Sequence, residues 1–431
     1  MHETAEHTVP HAKAQYAHGA MACLWLFNMI IGGCFGAFIS LFMYIIELIF
    51  KLIFGRLLAQ PLGFNSYWYI PLVVCTFGGA LVGLLQRKYG SIPAHIEQIM
   101  TTIKVDGRLD YSQLPAMLSA AFISLAAGGS VGPEAGLMGA IGGAAFWLTD
   151  VNKTCYKVME SGPLTFKKFF GIVTHDPSAA ALPAGKGLKT SPDLPPYLQR
   201  YFAQRMPLLA LTWIGGTLAF LGMNRLGIGT KMHQFSMQGS FGTSEFLATF
   251  ICLLVAFIFA RLDKPITWFA ERICYPLADK PIARGMWGGL LLGILAMFVP
   301  FVLSSGESTM TLLDERWMTY GVAVLGITAV LKLVSVRIMF AASWKGGQFF
   351  PLFFSSFSLG FFVAAFLRAT GVPVDPVWCV ALTGCAASSL IMKQPLICLG
   401  TMLLMFNSAA WPALLIGAAL AFALQKKFDV L

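Results

Sequence analysis

The chain has 431 residues, of which 57% are hydrophobic and 12% charged, and its mean hydropathy is +0.71. That composition lies far outside a soluble globular domain and specifies a polytopic membrane protein. The formal net charge of +10 would suit a nucleic-acid partner, but the basic residues lie between or at the ends of apolar segments, where the positive-inside rule accounts for them, and no nucleic-acid partner is expected.

Residues 1–18 form a polar tail carrying His2, His7, His11 and His18. Without a fixed spacing these histidines read as a solvated segment rather than a metal site or pH sensor, and no cleavable signal is expected ahead of the first span. Apolar stretches follow at residues 21–50, 67–85, 116–148, 207–223, 246–260, 286–303, 320–342, 349–367, 377–406 and 411–424. Several are shorter or longer than the roughly 20 residues of a perpendicular span, so tilted, broken or re-entrant helices are expected. The chain divides into two similar halves, a first membrane repeat at residues 19–227 and a second at 233–425, followed by a short tail at 426–431. Within the first, residues 150–206 carry Lys153, Lys157, Lys167, Lys168, Pro177, Pro183, Pro192, Pro195 and Pro196 and read as a polar linker rather than a span. That linker, Arg87-Lys88 and Lys426-Lys427 place one face, with both termini, in the cytoplasm. The nine cysteines fall singly and read as small buried hydrophobes.

Each half contains a polar break, Gly90-Ser91-Ile92-Pro93 in the first and Ser304-Ser305-Gly306-Glu307 in the second. Each then contains a glycine-rich loop between apolar runs, Gly128-Gly129-Ser130-Val131-Gly132-Pro133 and Gly346-Gly347-Gln348-Phe349-Phe350-Pro351. Matching interruptions in two halves point to a midplane substrate site. Each loop opens a helix near its proline, and helix N-termini aimed at one spot make an anion site without a cationic side chain. Partial charges from backbone N–H groups and hydroxyls hold an anion reversibly, whereas a bare lysine or arginine would hold it too tightly for flow.

At these residues the chain resembles the CLC family of chloride channels and chloride/proton antiporters. Gly90 to Pro93 looks like a shortened GSGIP motif, Gly129 to Pro133 like GxEGP, and Gly347 to Pro351 like GxFxP. The resemblance implies an all-α polytopic membrane protein built as an inverted repeat of tilted, broken and re-entrant helices, a homodimer in the lipid of the cell (inner) membrane with one pore per subunit. It implies a central anion site from the amides of Gln348 and Phe349, beside Gly347, with the Ser91 hydroxyl, or Gly90 in its place if the residue missing from the motif follows the serine, and an outer site around Ser130, Val131 and Gly132. No cofactor is expected, and no motif of a hydrolytic or metal enzyme is present.

The chain departs from the family pattern in three places. Val131 occupies the position of the gating glutamate, which competes with chloride and carries a proton. Nothing in residues 163–205 looks like the family's helix pair that carries the internal proton glutamate, so the first repeat is expected to lack a hairpin. The central tyrosine beyond the last span is also missing, and no regulatory domain is expected after it. These departures favour passive conduction of chloride or another small anion without proton exchange. Glu134, three residues past Val131, reads either as a first-turn carboxylate favoured by the helix dipole or as a displaced gate. In the second case the chain would be an anion/proton antiporter or a fluoride transporter. A non-conducting scaffold of the same fold is the rival of another class. Lys332, Arg337 and Lys345 could draw anions inward, and the first two could instead snorkel or pair. Glu307 could cap a helix or sit in the ion path, His95 reads as a helix-surface residue, and Lys393 and Asn407 read as turn positions.

Overall fold

The computed structural model describes residues 9–58, 66–90, 101, 111–174, 195–229, 232–237 and 242–428. These residues fold into the helices α1 (Val9–Leu58), α2 (Tyr69–Tyr89), α3 (Leu114–Ala126), α4 (Glu134–Ser161), α5 (Phe166–Thr174), α6 (Pro196–Arg225) and α7 (Thr243–Cys274). They continue through α8 (Pro281–Phe298), α9 (Met310–Tyr320), α10 (Val322–Ala341), α11 (Phe349–Ala369), α12 (Pro376–Met392), α13 (Pro395–Leu403) and α14 (Trp411–Phe428). Among the described residues, eight helical stretches are long and apolar enough to cross a membrane, and extended pairing is confined to two isolated bridges, Gly132 with Gly347 and Phe235 with Phe406. The chain is thus an all-α, multi-pass membrane protein.

Proline sets many helix starts. It sits in the first turn of α6, α8, α12 and α13, where its missing N–H leaves no intrahelical acceptor unused. Asp375 caps α12 by accepting the Val377 N–H at 2.8 Å, and the Glu245 carboxylate accepts the Gly242 N–H at the start of α7 at 3.0 Å. The stretch read from sequence as a polar linker, 150–206, contains the end of α4, all of α5 and the start of α6.

Tertiary contacts divide the chain into two interleaved compact units, residues 1–45, 94–115 and 137–230, and residues 46–93, 116–136 and 231–431. In the first, α1 and α6 approach backbone to backbone. A Cβ on Gly32 would lie 2.0 Å from the Thr212 carbonyl oxygen, and one on Gly36 would lie 2.1 Å from that of Gly216. Asn28 and Asn152 exchange side-chain hydrogen bonds at 3.0 and 2.9 Å, which satisfies two amides inside an apolar packing of Leu24, Val151, Cys155, Tyr156, Tyr201 and Leu208.

In the second unit, α2 and α8 run antiparallel along a glycine seam. Cβ atoms on Gly79, Gly83, Gly285, Gly289 and Gly293 would meet facing backbone at 2.0–2.7 Å, the small-residue contact by which membrane helices approach closely. Helices α11 and α12 are apolar nearly all round and buried over most of their length, which identifies them as the centre of this unit. Ser355 and Ser358 of α11 donate to the Ala329 and Leu325 carbonyls of α10 at 2.7 and 2.9 Å. The segment 232–237 is tied to the turn before α14 by the bonds Phe235 N–H to Met405 O (2.8 Å) and Asn407 N–H to Phe235 O (3.1 Å). His233 there contacts Asp314 of α9 at 2.9 Å.

Candidate functional site

The two glycine-rich loops meet in the second unit. Helix α10 ends at Ala341, and Ser343 turns the chain with a φ of 63°. The turn hangs from α2 and α8: Gln86 Nε2 donates to the Ser343 carbonyl, Arg284 Nε to that of Ala341 at 2.8 Å, and the buried Trp344 indole to that of Gly285 at 3.0 Å. The other loop follows α3. Gly128 takes a φ of 83°, its carbonyl accepts the Ser304 N–H at 2.8 Å, and the Gly129 N–H returns to the Ser124 carbonyl at 2.8 Å. The Ser124 hydroxyl accepts the Lys345 N–H at 3.2 Å, so one serine fixes both loops.

At the crossing, Gly132 and Gly347 exchange N–H to carbonyl bonds, both at 2.7 Å. Over this bridge lies the Glu134 carboxyl. Its Oε1 accepts the Phe350 N–H at 2.9 Å, while Oε2 is buried without a hydrogen-bond partner. A Cβ on Gly132 would fall 2.0 Å from Oε2 and one on Gly347 1.9 Å from it, so glycine at both positions makes the space that the carboxyl fills. Phe350 lies in the first turn of α11, where N–H groups have no intrahelical acceptor and the dipole favours negative charge. The Glu134 carboxyl thus occupies the N-terminal end of α11, the kind of place that suits an anion.

Polar side chains surround the crossing. Lys332 is fully buried; its ammonium donates to the carbonyls of Val302, Leu303 and Ser304 at 3.1, 3.1 and 2.6 Å and lies 5.4 Å from the centre of the Phe354 ring. The Ser335 hydroxyl donates to that of Ser130 at 2.9 Å. Arg337 Nε donates to Asp263 Oδ1 of α7 at 2.5 Å, and its Nη1 to Gln348 Oε1 at 3.0 Å. Glu307 stands within electrostatic reach of Glu134 and Glu47.

Of the residues singled out from sequence, Ser130, Val131, Gly132, Glu134, Gly347, Gln348 and Phe349 all lie at this crossing, whereas Ser91 and His95 fall outside the described residues. The Gly132 and Gly347 N–H groups are spent on each other, and the Phe350 N–H in the first turn of α11 is the one that meets the Glu134 carboxyl. Val131 is buried, and a Cβ on Gly346 would lie 2.6 Å from its side chain; it packs beneath the second loop. Lys332 is buried and holds three carbonyls, with no acidic partner among the described residues, whereas Arg337 is ion-paired. Lys393 turns the chain with a φ of 56°, and Asn407 bonds to the Met237 backbone on both sides of its amide. Phe350, Ser335 and Asp263 were not singled out. The Phe350 N–H could have been read from its place in the first turn of α11, but nothing in the sequence pairs Asp263 with Arg337.

Residues 200–426, more than half of the chain, match the family model for the voltage gated chloride channel. Proteins named as ion-transport protein YfeO, from Escherichia coli strain SMS-3-5 and from Escherichia fergusonii, are 26% identical over 309 residues, covering 69% of this chain and 68% of theirs. Among solved structures, a slow cyanobacterial Cl−/H+ antiporter superposes with a TM-score of 0.63 at 14% identity, over 94% of this chain and 95% of that one. A CLC-type fluoride/proton antiporter does so at 0.59 and 18% identity, over 95% and 96%. The helical fold, the crossed glycine loops and the family match lead to one conclusion: the chain belongs to the voltage-gated chloride channel, or CLC, family of anion transport proteins.

Proposed function

We propose that the protein carries a small monovalent anion across the membrane at the first turn of α11, and that Glu134 is its gate. The observation that carries this reading is the Glu134 carboxyl seated over the Gly132–Gly347 bridge on the Phe350 N–H. An anion arriving there competes with the carboxylate for the same amides. Protonation removes the charge that holds Glu134 in place, and the neutral side chain yields the site. Anion transport is in this way linked to a proton, and chloride and fluoride are the ions of the exchangers whose fold the chain shares. Passive conduction, the reading the sequence favours through Val131, where the position of the family's gate carries no ionisable group, becomes the second reading. In either case the working form is a homodimer in the cell membrane with both termini cytoplasmic, and residues 19–227 and 233–425 are its inverted repeats.

Flux from liposomes separates these readings. With a chloride or fluoride gradient imposed, the wild type is expected to move protons against it, and Glu134→Gln to lose that movement while still passing the anion. Anion flux without proton movement, unchanged in Glu134→Gln, establishes passive conduction. Absence of any anion flux defeats both and leaves a non-transporting scaffold.

A further inference from the structure

Between α7 and the end of α12 lies a partly open cavity of about 680 Å³ whose charged lining is Arg261, Asp263, Lys264, Glu271 and Lys393. It runs along the C-terminal part of α7, the end that carries Arg272. Three of its five charges are cationic, which suits a mouth that gathers anions. Asp263 belongs both to this cavity and to the ion pair with Arg337, whose side chains are only 19% and 12% exposed. Arg337 in turn binds Gln348, the residue that immediately precedes α11. One polar chain, Asp263 to Arg337 to Gln348, therefore runs from the cavity to the amides proposed to hold the anion.

The direction of these bonds has a chemical consequence. A guanidinium only donates, so the Gln348 carboxamide must turn its oxygen to Arg337, and its NH2 group is the end left for another partner. Arginine stays charged under all conditions, and unpaired it would trap a passing anion in a low-dielectric site. Asp263 opposes that by offsetting the charge.

We propose that Asp263 and Arg337 are positioning residues for anion selection on the basic side of the site. Arg337 fixes Gln348 as a hydrogen-bond donor to a small monovalent anion, and Asp263 keeps the guanidinium from holding that anion. The inference rests on the anion site proposed above at α11.

The test measures anion flux from proteoliposomes with chloride varied on the side of the cavity, and repeats it with nitrate. Asp263→Asn is expected to lower the half-saturating chloride concentration about tenfold, the scale of one charge-assisted hydrogen bond, and to lower maximal flux. Arg337→Met is expected to raise half-saturation by a similar factor and to narrow the difference between chloride and nitrate. If Arg337 acts through Gln348, Gln348→Ala does the same and Arg337→Met adds nothing to it. Additive effects in the double variant, or half-saturation unchanged in folded, monodisperse single variants, overturn the proposal and leave a structural ion pair. A wild type without flux instead overturns the site itself, so the two failures are distinct.

Discussion

Lys332 shows what one buried charge does at this crossing. Its ammonium gathers the three carbonyls before the Ser304 turn, and the Ser304 N–H in turn holds the Gly128 carbonyl. Removing it leaves those carbonyls without their donor inside the protein. Lys332→Met is expected to destabilise the protein by on the order of 3 kcal/mol, read as a lower thermal unfolding midpoint in detergent. The same residue marks the limit of sequence reading. A lysine within an apolar run was legible as an exception that needed a partner, but its partners are backbone carbonyls of a distant turn, which carry no signature in side-chain identity. Glu134 is the converse case. Its spacing from Val131 made it a candidate gate, but its place on the Phe350 N–H depends on two loops bonded across a long stretch of chain.

The helices divide into those whose contacts are fixed by absent side chains and those fixed by apolar ones. Along the α2–α8 seam a leucine at Gly289 would drive its Cβ to 2.0 Å from the Cys75 carbonyl oxygen. Gly289→Leu is therefore expected to part the two helices and cost several kcal/mol (~3 or more) through overpacking, visible as loss of monodisperse protein on gel filtration. A Cβ on Gly400 in α13 would meet nothing within 4 Å, and Gly400→Ala is expected to be neutral or to stabilise by up to about 1 kcal/mol; the same gel filtration and a thermal scan check both. The apolar runs were legible from hydropathy, whereas the glycine seam emerges only once the two helices are seen face to face. That α2 and α8 are the pair it joins was not legible, because any two small-residue stripes match equally well until the fold chooses between them. The turn chemistry of the two glycine loops was the most legible element, since proline and glycine restrict the backbone locally.

On the scale of the molecule, charge sets the orientation. Because α2 and α8 run antiparallel, Arg87 and Lys88 lie at the same end as Lys280 and Arg284, and α10 carries the chain about 30 Å from the Gly321 turn toward that end. The positive-inside rule then predicts Lys280 in the cytoplasm and Thr319 outside. In a cell-surface labelling experiment with a membrane-impermeant thiol reagent, Thr319→Cys is expected to react in intact cells and Lys280→Cys only after the membrane is opened; the reverse pattern would invert the topology.

The paired bonds between Gly132 and Gly347 also bear on how a transport cycle turns over. Alternating access by rocking one repeat against the other would have to break both bonds at every turnover. A swing of one carboxyl side chain leaves them whole. For the transport reading proposed above, the bridge argues for a static frame, in which opening to either side is the work of a few side chains rather than of moving helices.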